Sequence, residues 1–169
     1  MLTLRYANYG AAAQYALKNL KYKYEGDSGF DLSACEDGII TYGEITVVNT
    51  DVCFSIPKYR LFLTEIGGVP LAEVGLEIQI RGRSGLARKE GLMVINAPGT
   101  IDRDYTGEVS IIMTRIIPGI FKYEAGDRIA QAVLCPVFLG EFVRLERIET
   151  IKADEGTRGI AGYGSTGVK

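Results

Sequence analysis

Apolar and polar residues alternate with a period of two at several places along the chain. In residues 75–83, Leu76, Ile78 and Ile80 alternate with Glu77, Gln79 and Arg81, which puts three apolar side chains on one face of a strand. Val109, Ile111 and Met113 repeat the pattern. Residues 45–48, 52–56, 92–96, 129–136 and 142–148 are short apolar stretches bounded by Gly, Pro, Asn or Asp, and each predicts a strand. Many brief strands predict a sandwich or barrel. Only residues 11–20, rich in Ala with Gln, Leu and Lys, predict a helix.

Composition sharpens this picture. The 21 glycines among 169 residues are spread between the apolar stretches as punctuation, the usage expected of strands and turns. The length is that of one domain, and 47% hydrophobic residues supply a real core. Residues 152–169 break the pattern: glycines at 156, 159, 162, 164 and 167 interleave with Arg158, Tyr163, Ser165 and Thr166, leaving too few apolar groups to fold on themselves. The expected layout is therefore a β domain over residues 1–151, with 62–75 as an insertion, and a mobile Gly-rich arm over 152–169. No 18-residue apolar run and no apolar leader occur, so the expectation is a soluble, cytoplasmic protein without a membrane partner.

The residue inventory narrows the chemistry. There is no histidine, which excludes Ser-His-Asp and Cys-His nucleophile pairs, imidazole bases and His-ligated zinc. Cys35, Cys53 and Cys135 are scattered and form no C-x-x-C pair; they predict buried thiols in a reducing compartment. A net charge of −2 gives no basic field for nucleic acid, though local arginines can still take a small anion.

Five clusters carry candidate chemistry. Arg83-Ser84-Gly85 sets a guanidinium, a hydroxyl and an unhindered backbone amide side by side, a combination suited to phosphate; alone it also reads as a turn with a solvated arginine. Residues 96–107 hold Asn96, whose amide both donates and accepts as a base edge requires, and Asp102, Asp104 and Tyr105. With histidine absent, Asp102 is the leading candidate to activate water, while turn chemistry is the plainer account of both aspartates. Gly29 to Ala34 contains Asp31 before a strand, and residues 126–131 contain a Gly-Asp turn, a surface arginine and Gln131. In the tail, Arg158 and Tyr163 could meet a phosphate and a base. A Walker-type loop at 162–167 is rejected, because no Lys-Ser/Thr follows the glycine and no helix has room to follow.

Taken in order, these clusters resemble the five motifs of the trimeric deoxyuridine triphosphatases (dUTP pyrophosphatases), over about residues 27–167. The resemblance implies a jelly-roll-like β-barrel with one short helix at most, assembled as a homotrimer with active sites between subunits. It implies hydrolysis of dUTP to dUMP and pyrophosphate with Mg2+ on the triphosphate, limiting uracil in DNA and supplying dUMP for thymidylate synthesis. Asp102 would hold and activate the water that attacks the α-phosphate. Asn96 would read uracil, Tyr105 would pack beneath the deoxyribose, and the chain at Gly99, Thr100 and Ile101 would help. Arg83, Ser84 and Gly85 would grip phosphates from a neighbouring chain, assisted by Gln131. The arm would bring Arg158 to the γ-phosphate and Tyr163, Gly164, Ser165 and Thr166 over the nucleotide. Asp31 would steady the network near Mg2+, which is held mainly by phosphates and water with no direct protein ligand.

Three positions depart from the family pattern: Gly82 stands where proline is usual, Arg88-Lys89-Glu90 where a histidine is common, and Ser28 where alanine is expected. None removes a chemical role. The stretch before Asp27 and residues 62–75 exceed what the fold needs and leave room for a protein partner. The related deoxycytidine triphosphate deaminases need a glutamate base where this chain has Ile112, and they lack the Gly-Tyr-Gly-Ser-Thr-Gly ending. A non-catalytic nucleotide sensor or protein-binding module on the same fold is the reading from a different class; Asp102 and the complete arm argue against it.

Overall fold

Strand alternation and glycine punctuation are realised as antiparallel sheets. The computed structural model describes residues 3–11, 17, 20–57, 61–62, 65–66, 69–70, 73–141 and 143–147. In chain order the strands are β1 (Arg5–Asn8), β2 (Gly29–Ser33), β3 (Gly38–Thr41), β4 (Thr46–Val48), β5 (Val52–Ser55), β6 (Leu61–Phe62), β7 (Glu65–Ile66) and β8 (Val69–Pro70). They continue with β9 (Glu73–Gly82), β10 (Leu92–Val94), β11 (Gly99–Ile101), β12 (Ile111–Arg115), β13 (Ile120–Tyr123) and β14 (Arg128–Val137); the one helix among the described residues, α1 (Ser84–Glu90), follows β9.

The largest sheet runs β11-β9-β14-β2, with β6 also paired to β9. A three-stranded sheet runs β10-β12-β4, and β1-β5, β13-β3 and β7-β8 form pairs. The all-β expectation with one short helix holds. Among the described residues no sheet closes into one continuous barrel, although an isolated bridge of Tyr42 with Arg115 and a bond from Val109 N to Val52 O at 2.9 Å tie neighbouring sheets together.

Leu76, Ile78 and Ile80 of β9 are all buried and meet Leu32 of β2, Ile129 of β14, and Ile111 and Met113 of β12 in one core. Each such aliphatic side chain contributes roughly 1.5–3 kcal/mol relative to exposure. The outer face of β9 carries Glu77, Gln79 and Arg81, linked by hydrogen bonds from Gln79 Nε2 to Glu77 Oε1 at 2.8 Å and from Arg81 Nη2 to Gln79 Oε1 at 2.7 Å. Val109 is buried on the core side as its alternation requires, but the strand begins only at Ile111.

Several expectations need correction. A helix at Ser84–Glu90 was not expected; the helix expected over residues 11–20 lies largely outside the described residues, which there include only Ala11, Leu17 and Leu20. No side-chain bond caps α1 at Arg83; it ends on Gly91, whose φ of 62° is the left-handed conformation that glycine adopts without strain. Glu90 closes the helix against the buried Arg115 of β12, Nη1 to Oε2 at 3.3 Å, while Arg115 Nε donates to Ile117 O at 3.1 Å. Residues 143–147 form no strand, because the alternation there meets no partner face and Leu145 is 93% exposed. The cysteines are free as expected but half-buried, not buried. Burial, then the charges of Glu36, Glu108 and Asp51, pushes the Cys35 thiol above its ordinary range. Among the described residues no helix is long and apolar enough to cross a membrane.

Candidate active site

Three of the five sequence clusters meet at one end of the large sheet. Gln131 of β14 stands in register with Asp31 of β2 on one side and Arg81 of β9 on the other, so the strand pairing alone gathers them. Asp31 holds two guanidinium groups at once: Arg83 Nε lies 3.0 Å from Oδ1 and Arg128 Nη1 lies 3.1 Å from Oδ2. Arg83 Nη1 also donates to Arg128 O at 2.7 Å, and Gln131 Nε2 donates to Gly82 O at 2.8 Å. These contacts fix the direction of the chain where it leaves β9 for α1. Asp31, Arg83, Arg128 and Gln131 line a pocket of about 500 Å³, with Arg81, Lys21 and Lys23 also on its wall. Ser84 and Gly85, the first two residues of α1, are exposed beside it, and nothing lies within 4 Å of where a Cβ on Gly85 would stand.

A second pocket, of about 370 Å³, is lined by Thr100, Ile101, Asp102 and Tyr105 together with Val47 and Ile112. Pairing of β11 with β9, Ile101 opposite Ile78, sets the direction in which Asp102 leaves the sheet. Asp102 is exposed, and its carboxylate accepts no hydrogen bond from a described residue; its backbone O takes the Tyr105 N–H at 3.0 Å. The Tyr105 hydroxyl donates to Glu108 O at 2.9 Å, and the ring lies across Gly107, where a Cβ would collide with it. Glu108 in turn accepts the Asp51 N–H at 2.8 Å, and Thr50 Oγ1 donates to Val109 O at 2.6 Å. The β4–β5 turn thereby holds the tyrosine hairpin in place. Asn96 and Gly99 sit just before this pocket, the Asn96 amide lying over Gly99.

No residue lines both pockets. From Ile78, opposite Ile101, five residues of extended chain lead to Arg83, a span of about 16 Å at ~3.3 Å per residue. Asp31, Arg83 and Gln131 are therefore brought together, as are Thr100, Ile101, Asp102 and Tyr105, but the two sets stand apart on one chain. Arg158, Tyr163, Gly164, Ser165 and Thr166 lie outside the described residues. Sequence reasoning missed Arg128, Arg81, Lys21 and Lys23. Arg128 stood inside a quoted cluster, and the signal that could have found it is its position three residues before Gln131 at the opening of a strand.

A protein-family model described as dUTPase matches residues 16–167. The chain belongs to the dUTPase family. A deoxyuridine 5'-triphosphate nucleotidohydrolase of Helicobacter pylori strain J99 is 40% identical over 148 residues, 88% of each chain. Among solved dUTPases, that of Staphylococcus bacteriophage 80alpha with dUPNHPP matches with a TM-score of 0.72 at 24% identity, covering 98% of this chain and 99% of that one. A dUTPase from phage phi11 of S. aureus, described with a coordinated structural Mg(II) ion, matches at a TM-score of 0.67 and 21% identity, covering 88% and 97%. At such identities these structural likenesses establish the dUTPase fold, while the family match and the bacterial relative establish membership.

Proposed function

We propose that the protein hydrolyses dUTP to dUMP and pyrophosphate at sites shared between the chains of a cytoplasmic homotrimer. One observation supports the reading: Asp102 and Arg83, the proposed water-activating and phosphate-binding groups, line separate pockets that share no residue, and the extended chain from Ile78, opposite Ile101, to Arg83 spans about 16 Å. A neighbouring copy that presents its Arg83 pocket to this chain's Asp102 pocket makes one complete site. Exposed apolar residues support the association: Val47 is 56% and Met93 45% exposed on the outer face of the β10-β12-β4 sheet, and Val47 itself lines the Asp102 pocket. Apolar faces next to a site mark interaction surfaces.

Within that site Asp102 orients the attacking water and takes its proton, a role supported by a carboxylate that is exposed and accepts no hydrogen bond from a described residue. Tyr105, held by Glu108 and Gly107, forms the floor for a deoxyribose and leaves no space for a 2′-hydroxyl. Asn96 reads uracil, with the chain at Gly99, Thr100 and Ile101 beside it. Arg83, Ser84, Gly85 and Gln131 of a neighbouring copy hold the phosphates, and the open space at Gly85 admits a close backbone approach. Residues 152–169 act as an arm that closes over the nucleotide, with Arg158 on the γ-phosphate and Tyr163 to Thr166 over the sugar and base. The remainder, residues 1–151, is the β domain, and 62–75 its insertion.

Magnesium fits this donor set as an ion carried by the substrate. Among the described residues no three acidic or thiol groups form a cage, and magnesium binds through phosphates, water and one or two carboxylates. Asp31, on the wall of the cationic pocket, is the carboxylate that would stand near it; when bound, the ion neutralises charge on the triphosphate.

Pyrophosphate release from dUTP tests the reading. The parent protein should turn over dUTP, and Asp102→Asn should lower kcat by ~10²–10⁴ while retaining nucleotide binding. A variant rate within a few-fold of the parent would remove Asp102 from its role.

A further inference from the structure

Five cations line the Arg83 pocket against two carboxylates, in a chain whose net charge is −2. Neither carboxylate forms an ion pair with either lysine among the described residues, although Asp27 keeps its negative charge. Asp31 is shared by Arg83 and Arg128. Asp27 turns its Oδ2 back into its own turn, accepting the backbone N–H of Tyr24 at 2.8 Å and of Lys23 at 3.1 Å. A backbone bond from Asp27 N to Tyr24 O at 3.1 Å completes the lock. This turn therefore has a fixed shape, and it holds Lys21 and Lys23 on the pocket wall. Lys21 has no ion-pair or hydrogen-bond partner among the described residues, and Lys23 Nζ rests over the Tyr24 ring, 5.2 Å from its centroid.

We propose that Lys21 and Lys23, carried on the Asp27-locked turn, extend the phosphate-binding pocket and grip the outer phosphates of the nucleoside triphosphate. The inference rests on the dUTP reading above but concerns a segment to which that reading gives no role. The charge balance favours it. A triphosphate brings about four negative charges at neutral pH, and on this wall the two arginines that share Asp31 leave about one positive charge beside what magnesium and Arg158 supply. The lysines and Arg81, less Asp27, add about two more in a cleft that concentrates their field. Lysine suits this outer position, because an ammonium on a flexible stem can follow a terminal phosphate that turns, whereas the fixed guanidinium fork of Arg83 cannot.

The test uses the full-length protein and two measurements: calorimetric binding of inorganic tripolyphosphate, and dUTP turnover with magnesium. Lys21→Gln with Lys23→Gln should weaken tripolyphosphate binding about tenfold and lower kcat/KM for dUTP by a similar factor, mostly through KM, the size of one charge-assisted contact. Lys21→Arg with Lys23→Arg should restore both, which separates lost charge from lost folding. Binding of orthophosphate as tight as tripolyphosphate would overturn the assignment to a phosphate chain. Unchanged binding and turnover in the glutamine variant would sink the inference and leave the dUTP reading standing. Lysine-dependent tripolyphosphate binding in a parent that does not hydrolyse dUTP would do the reverse.

Discussion

Around Arg83, charged groups are tied to one another: Asp31 bridges two arginines, and Arg83 also spans to the Arg128 carbonyl. Around Asp102, the carboxylate is left without a donor among the described residues, and order comes instead from the backbone pairing of β11 and from the Tyr105–Glu108 contact. The difference fits the work proposed for each pocket. Cations that stabilise charge act best when fixed before the ligand arrives, because no reorganisation is then needed. A carboxylate that must take a proton from water needs its lone pairs unoccupied. One sheet supports both because β9 pairs with β14 over most of its length and with β11 over only three residues.

The most decisive way to break this comparison is to place its halves on different chains. Arg83→Ala and Asp102→Asn should each be nearly inactive alone. Unfolded together in equal amounts and refolded, they should recover roughly a quarter of parental turnover, the share of head-to-tail interfaces that random assortment leaves intact. Pyrophosphate release measures it; no recovery would mean that both groups serve the same site from one chain. A smaller effect sharpens the second pocket. Gly107→Ala should push the Tyr105 ring off its seat and lower kcat/KM for dUTP about tenfold, while narrowing the preference for dUTP over UTP. Competing-substrate assays give the ratio, and an unchanged ratio would show that the ring does not screen the sugar. The mildest effect lies just past β2, at a residue that lines neither pocket. Since burial, then the charges of Glu36, Glu108 and Asp51, push the Cys35 thiol above its ordinary range, Cys35 should be alkylated by iodoacetamide at pH 8 several-fold more slowly than a cysteine in a short peptide. Peptide mapping over time reads the rate.

Much of the architecture was legible in the chain. The alternation at Leu76, Ile78 and Ile80 places all three in the core, because a side chain period of two leaves a paired strand no other choice. The same pattern misled at 143–147, where among the described residues no partner strand covers the face and Leu145 is exposed. Helix α1 was not legible because it has no apolar stripe to betray it: none of its residues is buried, it is seven residues long, and Gly85 lies in its first turn. The basic pair Arg88 and Lys89 before Gly91 was its one local signal. Among the candidate site residues, Arg83 and Asp102 could be named from their neighbours in sequence. The partnership of Asp31 with Arg83 and Arg128 could not, since it exists only through the pairing of β2 with β14 and of β14 with β9.

Helix α1 lends the core only the half-buried Leu86, yet it is moored at both ends, by Arg83 to Asp31 and by Glu90 to Arg115. It hangs between those anchorages like a short span between two piers. Exposed positions such as Ala87, Arg88 and Lys89 are therefore free to drift in evolution or to accept labels in the laboratory, whereas the piers must be exchanged in matched pairs.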